Sequence, residues 1–401
     1  MTRPRIVLVG CSFAGLEFLY RYTRRRGRLS PGELTVVEPR SHHPYVPLAH
    51  EAAGGVTAPQ SLLFDIEAFC ASIGAGFIRD AATGVDTRAR LLHNDGGSPV
   101  PYDRLVVAVG SESAIPAALA ERGIVPAKWI TDGLELRERL HGVHTATGVP
   151  ARLTIVGIGI TGVEWAAELS ASPIGGLQPV VTVVGREARL LPEFAPGVAH
   201  HAGVVLDRLG VRRILGRMVS DVTADSVVLD DGEHVPSDVV VWAGGVRPNP
   251  VVKAFGLPLT SDGRIAITRR LAVHDVDGVY AIGDAAQVVV DGSAWPTMQR
   301  AIEAIWQGAL LARRMARPWG DDEGPEHQLR REFFYGLSLG PRHSLVLYRA
   351  LWADSRIFVY FRRWLKWAYY ERFTLLGRWK ASGRRPWEGG VSSRASARDL
   401  L

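Results

Sequence analysis

Two glycine-rich loops carry the first chemical signal in this sequence. Gly10-Cys-Ser-Phe-Ala-Gly15 ends one short apolar run, and Gly157-Ile-Gly159-Ile-Thr-Gly162 ends another. In loops of this kind the first glycine makes a tight turn, the second admits backbone N–H groups to a pyrophosphate, and the third packs a helix against a strand. The helix that follows adds partial positive charge at its N-terminus. The spacing therefore predicts two dinucleotide-binding sites.

The elements around each loop are those that such a site requires. The first loop passes from residues 5–10 through a helical stretch to the apolar run at 34–38, and the second passes in the same way from 152–157 to 180–184. The intervals from Gly10 to Glu38 and from Gly157 to Gly185 are equal. This repeat predicts an α/β fold with two Rossmann-like dinucleotide-binding domains.

Two later segments return to the pattern of the first domain. Residues 102–110 and 277–283 are each a short apolar strand that runs into a glycine. The second domain is therefore predicted to be inserted into the first. The predicted boundaries are 1–115 and 260–335 for the first domain, 116–259 for the second, 336–381 for a C-terminal region and 382–401 for a disordered tail.

Composition narrows the class of protein. Of the 401 residues, 47% are hydrophobic and 22% are charged, which is typical of a folded globular chain. The first residues lack the pattern of a signal peptide, and no run approaches the roughly 20 apolar residues that cross a bilayer, so the cytoplasmic side is predicted. Two cysteines, Cys11 and Cys70, provide neither a disulfide scaffold nor a thiolate metal site, and no metal is predicted.

The positive charge of the chain is concentrated near its C-terminus. The net charge is +6, yet nine Lys or Arg and one acid lie between Arg356 and Pro386, which leaves the rest of the chain acidic. A surface for nucleic acid is therefore not predicted.

The same C-terminal segment has helical periodicity. Its apolar residues fall on one face and its basic residues on the other; they are Ile357, Phe358, Phe361, Trp364, Leu365 and Ala368 against Arg356, Arg362, Arg363 and Lys366. This pattern predicts an amphipathic helix that anchors the protein peripherally to an anionic membrane surface. A helix that docks a partner, including a second copy in a homodimer, is the alternative.

Several motifs together resemble those of flavoproteins with two dinucleotide-binding domains. They are Phe13-Ala-Gly15-Leu, Tyr102-Asp103, Gly157-x-Gly159-x-Thr161-Gly162-Val-Glu164, Trp242-Ala-Gly-Gly245-Val-Arg247 and Gly283-Asp284-Ala-Ala. Within that group the chain resembles type II NADH:quinone oxidoreductase, the non-pumping NADH dehydrogenase, over residues 5 to about 315 and more loosely to Leu376. The resemblance implies FAD in the first domain, NADH or NADPH in the second, and a quinone as acceptor.

The resemblance implies roles for two acids in the first domain. Glu38 would bind the ribose hydroxyls of FAD, and Asp284 would hold its ribitol; a solvated acid at a strand end and a helix N-cap are the respective alternatives. Ser12 replaces the middle glycine, so its Cβ narrows the pyrophosphate site while its hydroxyl can donate a hydrogen bond. The predicted FAD-binding residues are Gly10, Ser12, Phe13, Ala14, Gly15, Glu38, Pro47, Gly110, Gly283 and Asp284.

The second site departs from the family where the nucleotide is selected. The family has an acid at the position of Gly185, and here the glycine is followed by Arg186. Loss of the acid removes repulsion of a 2′-phosphate and the arginine can pair with it, so NADPH, or use of both nucleotides, is predicted. An ordinary surface role for Arg186 is the alternative. The predicted nicotinamide-nucleotide residues are Gly157, Gly159, Thr161, Gly162, Arg186 and Gly245.

Two residues are predicted to act in catalysis. Glu164 matches the family glutamate near the quinone entrance, where it assists proton handling, and burial should raise its pKa; interaction with the helix dipole is the alternative. Gln299 is the counterpart of the family's alanine-glutamine signature, which lies at the start of the helix under the flavin, although Met298 and Glu303 depart from it. Gln307 indicates an altered register or a different acceptor.

The sequence thus predicts an FAD-dependent oxidoreductase that transfers a hydride from NAD(P)H to FAD and the electrons to a quinone at a membrane surface. A reductase for a protein such as a ferredoxin, and a non-catalytic membrane-bound nucleotide-binding protein, are the alternatives. Sulfide:quinone oxidoreductases and disulfide reductases need cysteine pairs that Cys11 and Cys70 do not provide.

Overall fold

The computed structural model describes residues 4–26, 29, 32–294, 297–317, 324–328, 334–349 and 351–381, so the predicted disordered tail lies outside the described residues. The helices are α1 (Phe13–Arg26), α2 (Ala49–Ala53), α3 (Ile66–Ile73), α4 (Ile130–Thr147), α5 (Ile160–Ala171), α6 (Pro196–Arg208), α7 (Ala301–Met315) and α8 (Arg356–Ala381). The strands are β1 (Ile6–Val9), β2 (Leu34–Val37), β3 (His42–Pro44), β4 (Leu63–Asp65), β5 (Gly76–Ile78), β6 (Ala82–Asp86), β7 (Leu91–Asn94), β8 (Val100–Pro101), β9 (Arg104–Val107), β10 (Ser111–Ser113), β11 (Val125–Pro126), β12 (Arg152–Val156), β13 (Val180–Gly185), β14 (Arg212–Leu215), β15 (Val219–Val222), β16 (Ser226–Leu229), β17 (His234–Pro236), β18 (Val239–Trp242), β19 (Val246–Pro248), β20 (Ile265–Ile267), β21 (Val279–Ala281), β22 (Ala286–Val290), β23 (Ser293–Ala294), β24 (Tyr335–Ser338), β25 (Ser344–Tyr348) and β26 (Leu351–Asp354).

Two five-stranded parallel sheets dominate the structure. The first has the order β21-β9-β1-β2-β5, and the second has the order β11-β18-β12-β13-β14. In each sheet the strand that precedes the glycine loop lies centrally, and its neighbours are reached in opposite directions, which leaves a crevice at the carboxyl ends of the strands. The prediction of an α/β fold with two Rossmann-like sheets is confirmed.

The first sheet combines strands from two separate stretches of the chain. β21 adds to the edge of the first sheet beside β9, with Val279 opposite Leu105. The strands of the second sheet all come from residues 125–242. A short antiparallel pair, β10 with β19, lies where the chain passes between the two sheets.

The two units match in their hydrogen bonds as well as in their strand order. The amide of Gly10 donates to the Val37 carbonyl at 2.9 Å, and that of Gly157 donates to the Val184 carbonyl at 2.8 Å. Strands β1 and β12 are almost wholly buried. Helices α4 and α5 contact the second sheet, and Val156 of β12 also shares a core with residues of the antiparallel sheet β15-β16-β17. Each sheet therefore anchors its glycine loop in a core of its own.

The C-terminal region consists of the three-stranded sheet β24-β25-β26 and helix α8. An aromatic cluster of Phe13, His43, Tyr45, Tyr369 and Tyr370 joins α8 to the start of α1, with Phe13 edge-on to His43 at 4.7 Å. The Tyr370 hydroxyl donates to the carbonyls of His43 and Leu62, each at 3.0 Å. The helix is thus packed onto the first domain rather than detached from it.

The orientation of α8 corrects one expectation from the sequence. Its basic face was expected to meet anionic lipid, but Arg362 is 8% exposed and Arg363 donates to the buried Glu51 at 3.0 Å. Lys366 donates to the Ser61 carbonyl at 2.9 Å. A buried acid elsewhere in the fold attracts these cations, so the apolar face is left outward. No helix within the described residues combines the length and apolarity that a membrane span requires.

Candidate functional site

One cleft connects the two glycine loops. Its volume is about 960 Å³, and it contains several predicted site residues from both domains: Ser12, Phe13, Ala14, Pro47, Gly110, Gly283, Asp284, Gln299, Gly157, Gly159, Thr161, Glu164, Arg186 and Gly245. A second cavity of about 450 Å³ is lined by Gly10 and Glu38 and shares Arg40, Val109 and Trp129 with the first. The two cavities together form an elongated site of the kind that dinucleotides occupy.

The first and third glycines of each loop are needed by the chain itself. Gly10 has φ +87°, and a Cβ there would lie 2.5 Å from the Ala108 carbonyl oxygen. A Cβ on Gly15 would collide with the Gly10 carbonyl, and a Cβ on Gly162 would collide in the same way with the Gly157 carbonyl. Gly15 and Gly162 therefore do not line the cleft but allow helix and strand to approach closely.

The middle position differs between the loops. A Cβ on Gly159 would have no atom within 4 Å, so the space above this residue is open to a ligand. Ser12 occupies the corresponding place in the first loop and lines the cleft. This open space at Gly159 is large enough for backbone N–H groups of the loop to approach a pyrophosphate.

Glu38 lies at the end of β2 and is 1% exposed. Its carboxylate accepts the Cys11 amide at 2.8 Å and Arg40 Nε at 2.8 Å. Burial alone would raise its pKa, but the charge and hydrogen bonds of Arg40 and the Cys11 amide outweigh burial and lower it. Glu38 is thus an ionised acceptor at the far end of the site, as binding to ribose hydroxyls requires.

A polar group that the sequence analysis missed surrounds Asp284. The Ser111 hydroxyl donates to Asp284 Oδ2 at 2.6 Å, and Lys128 Nζ donates to the Ser111 hydroxyl at 2.5 Å. Burial lowers the pKa of Lys128 to about 8, although the charge of Asp284 acts in the opposite direction. Ser111 begins β10 and Lys128 precedes α4, so no motif links these residues in sequence. The only sequence signal was the Tyr102–Gly110 strand that ends just before Ser111.

The end of β13 shows why an acid is absent at position 185. A Cβ on Gly185 would lie inside the Ile158 side chain, closer than 3.0 Å to its carbon atoms. Arg186 lines the cleft and is exposed, with Glu187 3.1 Å away. Arg217, which the sequence analysis missed, also lines the cleft; its amide donates to the Gly185 carbonyl at 3.0 Å and its side chain pairs with Asp230 at 3.0 Å.

Glu164 reaches the cleft from the second turn of α5. Its Oε1 accepts the Ser338 amide at 2.9 Å, and its Oε2 lies 3.9 Å from His50 Nδ1. Burial raises its pKa to about 7, against the opposing charge of Arg362. The predicted direction of this shift agrees with the structure. A carboxyl group with such a pKa can give up and regain a proton near neutral pH.

Gln299 lines the cleft, but it lies ahead of α7, which begins at Ala301. Its Nε2 donates to the Asp284 carbonyl at 3.1 Å. Gln307 lies inside the protein, where its Oε1 accepts the Gly283 amide at 2.7 Å and its Nε2 donates to Glu303 at 3.0 Å. Gln307 and Glu303 therefore hold the Gly283-Asp284 turn, and Gln299 alone of these three faces the cleft.

Comparisons with known proteins agree with this fold. A family model described as pyridine nucleotide-disulphide oxidoreductase matches residues 4–308. A demethylphylloquinone reductase of Synechocystis sp. is 27% identical over 303 residues, which cover 71% of this chain and 72% of that protein. The type II NADH:quinone oxidoreductase of Staphylococcus saprophyticus is 24% identical over 332 residues, which cover 78% and 82% respectively. The solved structure of NDH2 from Plasmodium falciparum in complex with NADH has the same fold, with a TM-score of 0.78, 14% identity and coverage of 95% and 98%.

Proposed function

Because the chain belongs to the pyridine nucleotide-disulphide oxidoreductase family, we propose that it is an FAD-dependent enzyme that takes a hydride from NADH or NADPH and passes the electrons to a quinone. The observation that carries this proposal is the single cleft, which joins both glycine loops and contains Glu164. The names of the two curated relatives, a demethylphylloquinone reductase and an NADH:quinone oxidoreductase, favour a quinone as the acceptor.

The first domain would hold FAD, which when bound supplies the hydride acceptor and the two-electron donor of the reaction. Glu38 accepts the ribose hydroxyls, and the loop from Gly10 to Gly15 binds the pyrophosphate at the start of α1. Asp284 holds the ribitol, with Ser111 and Lys128 fixing its carboxylate.

The second domain binds the nicotinamide nucleotide, and its lining favours NADPH or use of both nucleotides. Ile158 fills the space beside Gly185, so position 185 itself carries no acid that would repel a 2′-phosphate. Arg186 and Arg217 both line this part of the cleft and supply positive charge. Their acidic neighbours, Glu187 and Asp230, weaken that charge, which favours relaxed selection over strict rejection of NADH.

Glu164 supplies a proton to the acceptor. Reduction of a quinone to a hydroquinone adds two electrons and two protons, and a hydride equivalent carries both electrons and one of the protons. The remaining proton comes from the Glu164 carboxyl group, whose pKa of about 7 suits both release and recovery. The Ser338 amide keeps the carboxyl oriented throughout.

An anaerobic titration of the FAD-loaded protein tests the function. We expect NADPH and NADH each to bleach the flavin absorbance, with NADPH at least as effective, and a soluble quinone to restore it. Restoration by a ferredoxin but not by a quinone would instead indicate a protein acceptor. Failure of both nucleotides to bleach a bound flavin would contradict the hydride step and favour a nucleotide-binding protein without catalysis.

The acceptor is proposed to reach the cleft from a membrane surface. The outward face of α8 exposes large apolar side chains, namely Ile357, Tyr360, Phe361, Trp364, Leu365 and Trp367. Leu365 belongs to this face and also lines the cleft. Phe334, which precedes β24, is exposed and lines the cleft as well. A lipid-soluble quinone would therefore meet the cleft where the protein meets the bilayer. Because Arg362, Arg363 and Lys366 turn inward, attachment should depend more on apolar burial than on lipid charge.

Vesicle sedimentation checks this attachment. Burial of one large apolar side chain is worth roughly 2 kcal/mol, so Trp364→Glu is expected to weaken binding to phosphatidylcholine vesicles more than tenfold. Val149→Glu, at an exposed apolar residue outside this face, is the matched control and should bind as the wild type does. Equal vesicle binding by both variants would show that the α8 face is not the attachment surface. If the protein were a dimer that Trp364→Glu dissociates, the α8 face would instead be the contact with a second copy of the chain.

A further inference from the structure

A second glutamate on α5 lies one helical turn behind Glu164. Glu168 is 0% exposed, and within the described residues neither of its carboxyl oxygens has a hydrogen-bond partner. Residues four apart on a helix are neighbours on one face. A buried carboxyl group without donors is stabilised in its protonated form, because the charged form would lose its water and gain nothing in return.

The surroundings of Glu168 contain more acids than bases. Glu51 on α2 is buried and accepts Arg363 Nε at 3.0 Å, and it lies 3.6 Å from Arg362 Nη2. His50 contacts Arg362 at 3.0 Å, and burial together with the two arginines lowers its pKa well below the ordinary value, so it stays neutral.

Charge balance identifies the residue that carries a proton. Two arginines face three glutamates, so one carboxyl group must hold a proton if the cluster is to be neutral. Arg362 and Arg363 bind Glu51, and the Ser338 amide binds Glu164. Within the described residues Glu168 has no hydrogen bond, and only the charges of the two arginines oppose its burial. Burial, followed by the charge of Glu51, raises the pKa of Glu168 to about 8.

A surface turn lies on the other side of Glu168. Its Oε1 lies 3.1 Å from the point that a Cβ on Gly54 would occupy, so the absence of a side chain at Gly54 makes room for the carboxyl group. The next residue, Gly55, is exposed, and the Arg137 side chain from α4 lies over it. Glu168 thus lies between Glu164 in the cleft and a surface turn.

We infer that Glu168 is a proton-relay residue that reprotonates Glu164 after each turnover. The inference rests on the proposed function, since it concerns the proton that quinone reduction consumes. Glu164 loses its proton to the quinone oxygen. The proton of Glu168 passes to the Glu164 carboxylate when rotation of the Glu168 side chain brings the two carboxyl groups into hydrogen-bond contact across one helical turn, and Glu168 then takes up a proton from hydronium ion of the solvent. No electrons move in these steps, and each transfer breaks one O–H bond and forms another.

Glu168→Gln tests the relay with little structural cost, because the carboxyl group makes no hydrogen bond that the amide would break. We expect bleaching of the flavin by NADPH to stay as in the wild type, kcat for quinone reduction to fall about tenfold, and the loss to deepen as the pH rises and protonated Glu164 becomes scarce. Glu168→Asp should recover part of the activity and the wild-type shape of the pH profile. Ser172→Ala, at a buried neighbour near Gly54, is the control and should change neither.

Infrared spectroscopy gives a readout that does not depend on turnover. Just above neutral pH the wild type should show a protonated carboxylic acid band that shifts in D₂O. Glu168→Gln should remove the larger part of its intensity and Glu164→Gln the smaller part, because Glu168 keeps its proton to higher pH than Glu164 does. A loss in Glu168→Gln no larger than that in Glu164→Gln, or an unchanged kcat and pH profile, would overturn the relay. A wild type that shows the band but reduces no quinone would contradict the proposed function, and the relay with it.

Discussion

Replacement of Glu164 by glutamine is expected to lower kcat for quinone reduction by about 10²-fold, the usual contribution of a positioned general acid. Bleaching of the flavin by NADPH or NADH should continue almost unchanged, because that step needs no proton from Glu164. Stopped-flow absorbance separates the two half-reactions. The glutamine keeps an oxygen for the Ser338 amide, so the substitution removes a titrating proton but not a structural contact.

The pH dependence follows from the direction of the Glu164 shift. The pKa is raised to about 7 by burial, against Arg362, and the active form is the protonated one. Wild-type kcat should therefore be level below about pH 7 and fall above it as the carboxyl group loses its proton. In Glu164→Gln, kcat should be low at every pH and should not fall above pH 7.

Glu135→Gln provides a matched control for Glu164→Gln. Glu135 lies on α4 and forms an exposed pair with Arg139, four residues further on. This substitution removes the same charge without touching the cleft and should leave both half-reactions unchanged. If Glu164→Gln reduced quinone at the wild-type rate, water would be the proton donor. The role of Glu164 would then be limited to accepting the hydrogen bond of the Ser338 amide.

The parts of the site that the sequence predicted are those that depend on local chain geometry. A glycine loop between a strand and a helix is recognisable because all its parts lie within one short β-α-β segment. These parts are the tight turn, the glycine at which helix and strand pack closely, and the end of the second strand at Glu38 or Gly185. The structure contains this segment twice, with equivalent hydrogen bonds from Gly10 and Gly157. Such a site could be predicted without knowledge of the rest of the fold.

The parts that the sequence did not predict depend on residues far apart in the chain. Periodicity in α8 separated an apolar face from a basic one, but it could not show which face turns inward. The answer depends on Glu51, more than 300 residues earlier, whose burial next to Arg362 and Arg363 reverses the usual arrangement. The sequence did not predict Lys128 and Ser111 as site residues for the same reason. They lie far from Asp284 in the chain, and the fold brings Ser111 to Asp284 and Lys128 to Ser111.

The position of Gln299 shows a different limit. The motif was expected to start a helix, but the helix starts two residues later and the amide of Gln299 turns to the Asp284 carbonyl. Gln307, which was treated as a sign of altered register, instead binds the Gly283 amide in the interior. The family signature therefore identified Gln299, the glutamine that lines the cleft, but did not predict its contact with the Asp284 carbonyl.

Two glycines of the second loop, Gly159 and Gly162, should weaken nucleotide binding for different reasons when they are substituted. Gly162→Val is expected to abolish bleaching of the flavin by either nucleotide, because any Cβ at this position collides with the Gly157 carbonyl and forces α5 away from β12. Gly159→Ala meets no protein atom within 4 Å, so its stability should stay within about 0.5 kcal/mol of the wild type. Its methyl group occupies the space open to the pyrophosphate, and a rise of about tenfold in Kd, equivalent to roughly 1.4 kcal/mol, is expected.

Thermal unfolding and nucleotide titration of the two variants distinguish a glycine that the fold requires, Gly162, from one that the ligand requires, Gly159. Gly162→Val should lower Tm as well as binding, since the collision is with the backbone of the chain itself. Gly159→Ala should lower binding alone. If Gly159→Ala bound NADPH as tightly as the wild type while Gly162→Val also kept its binding, the dinucleotide would not lie over this loop, and the second Rossmann-like domain would have to hold its ligand elsewhere or hold none.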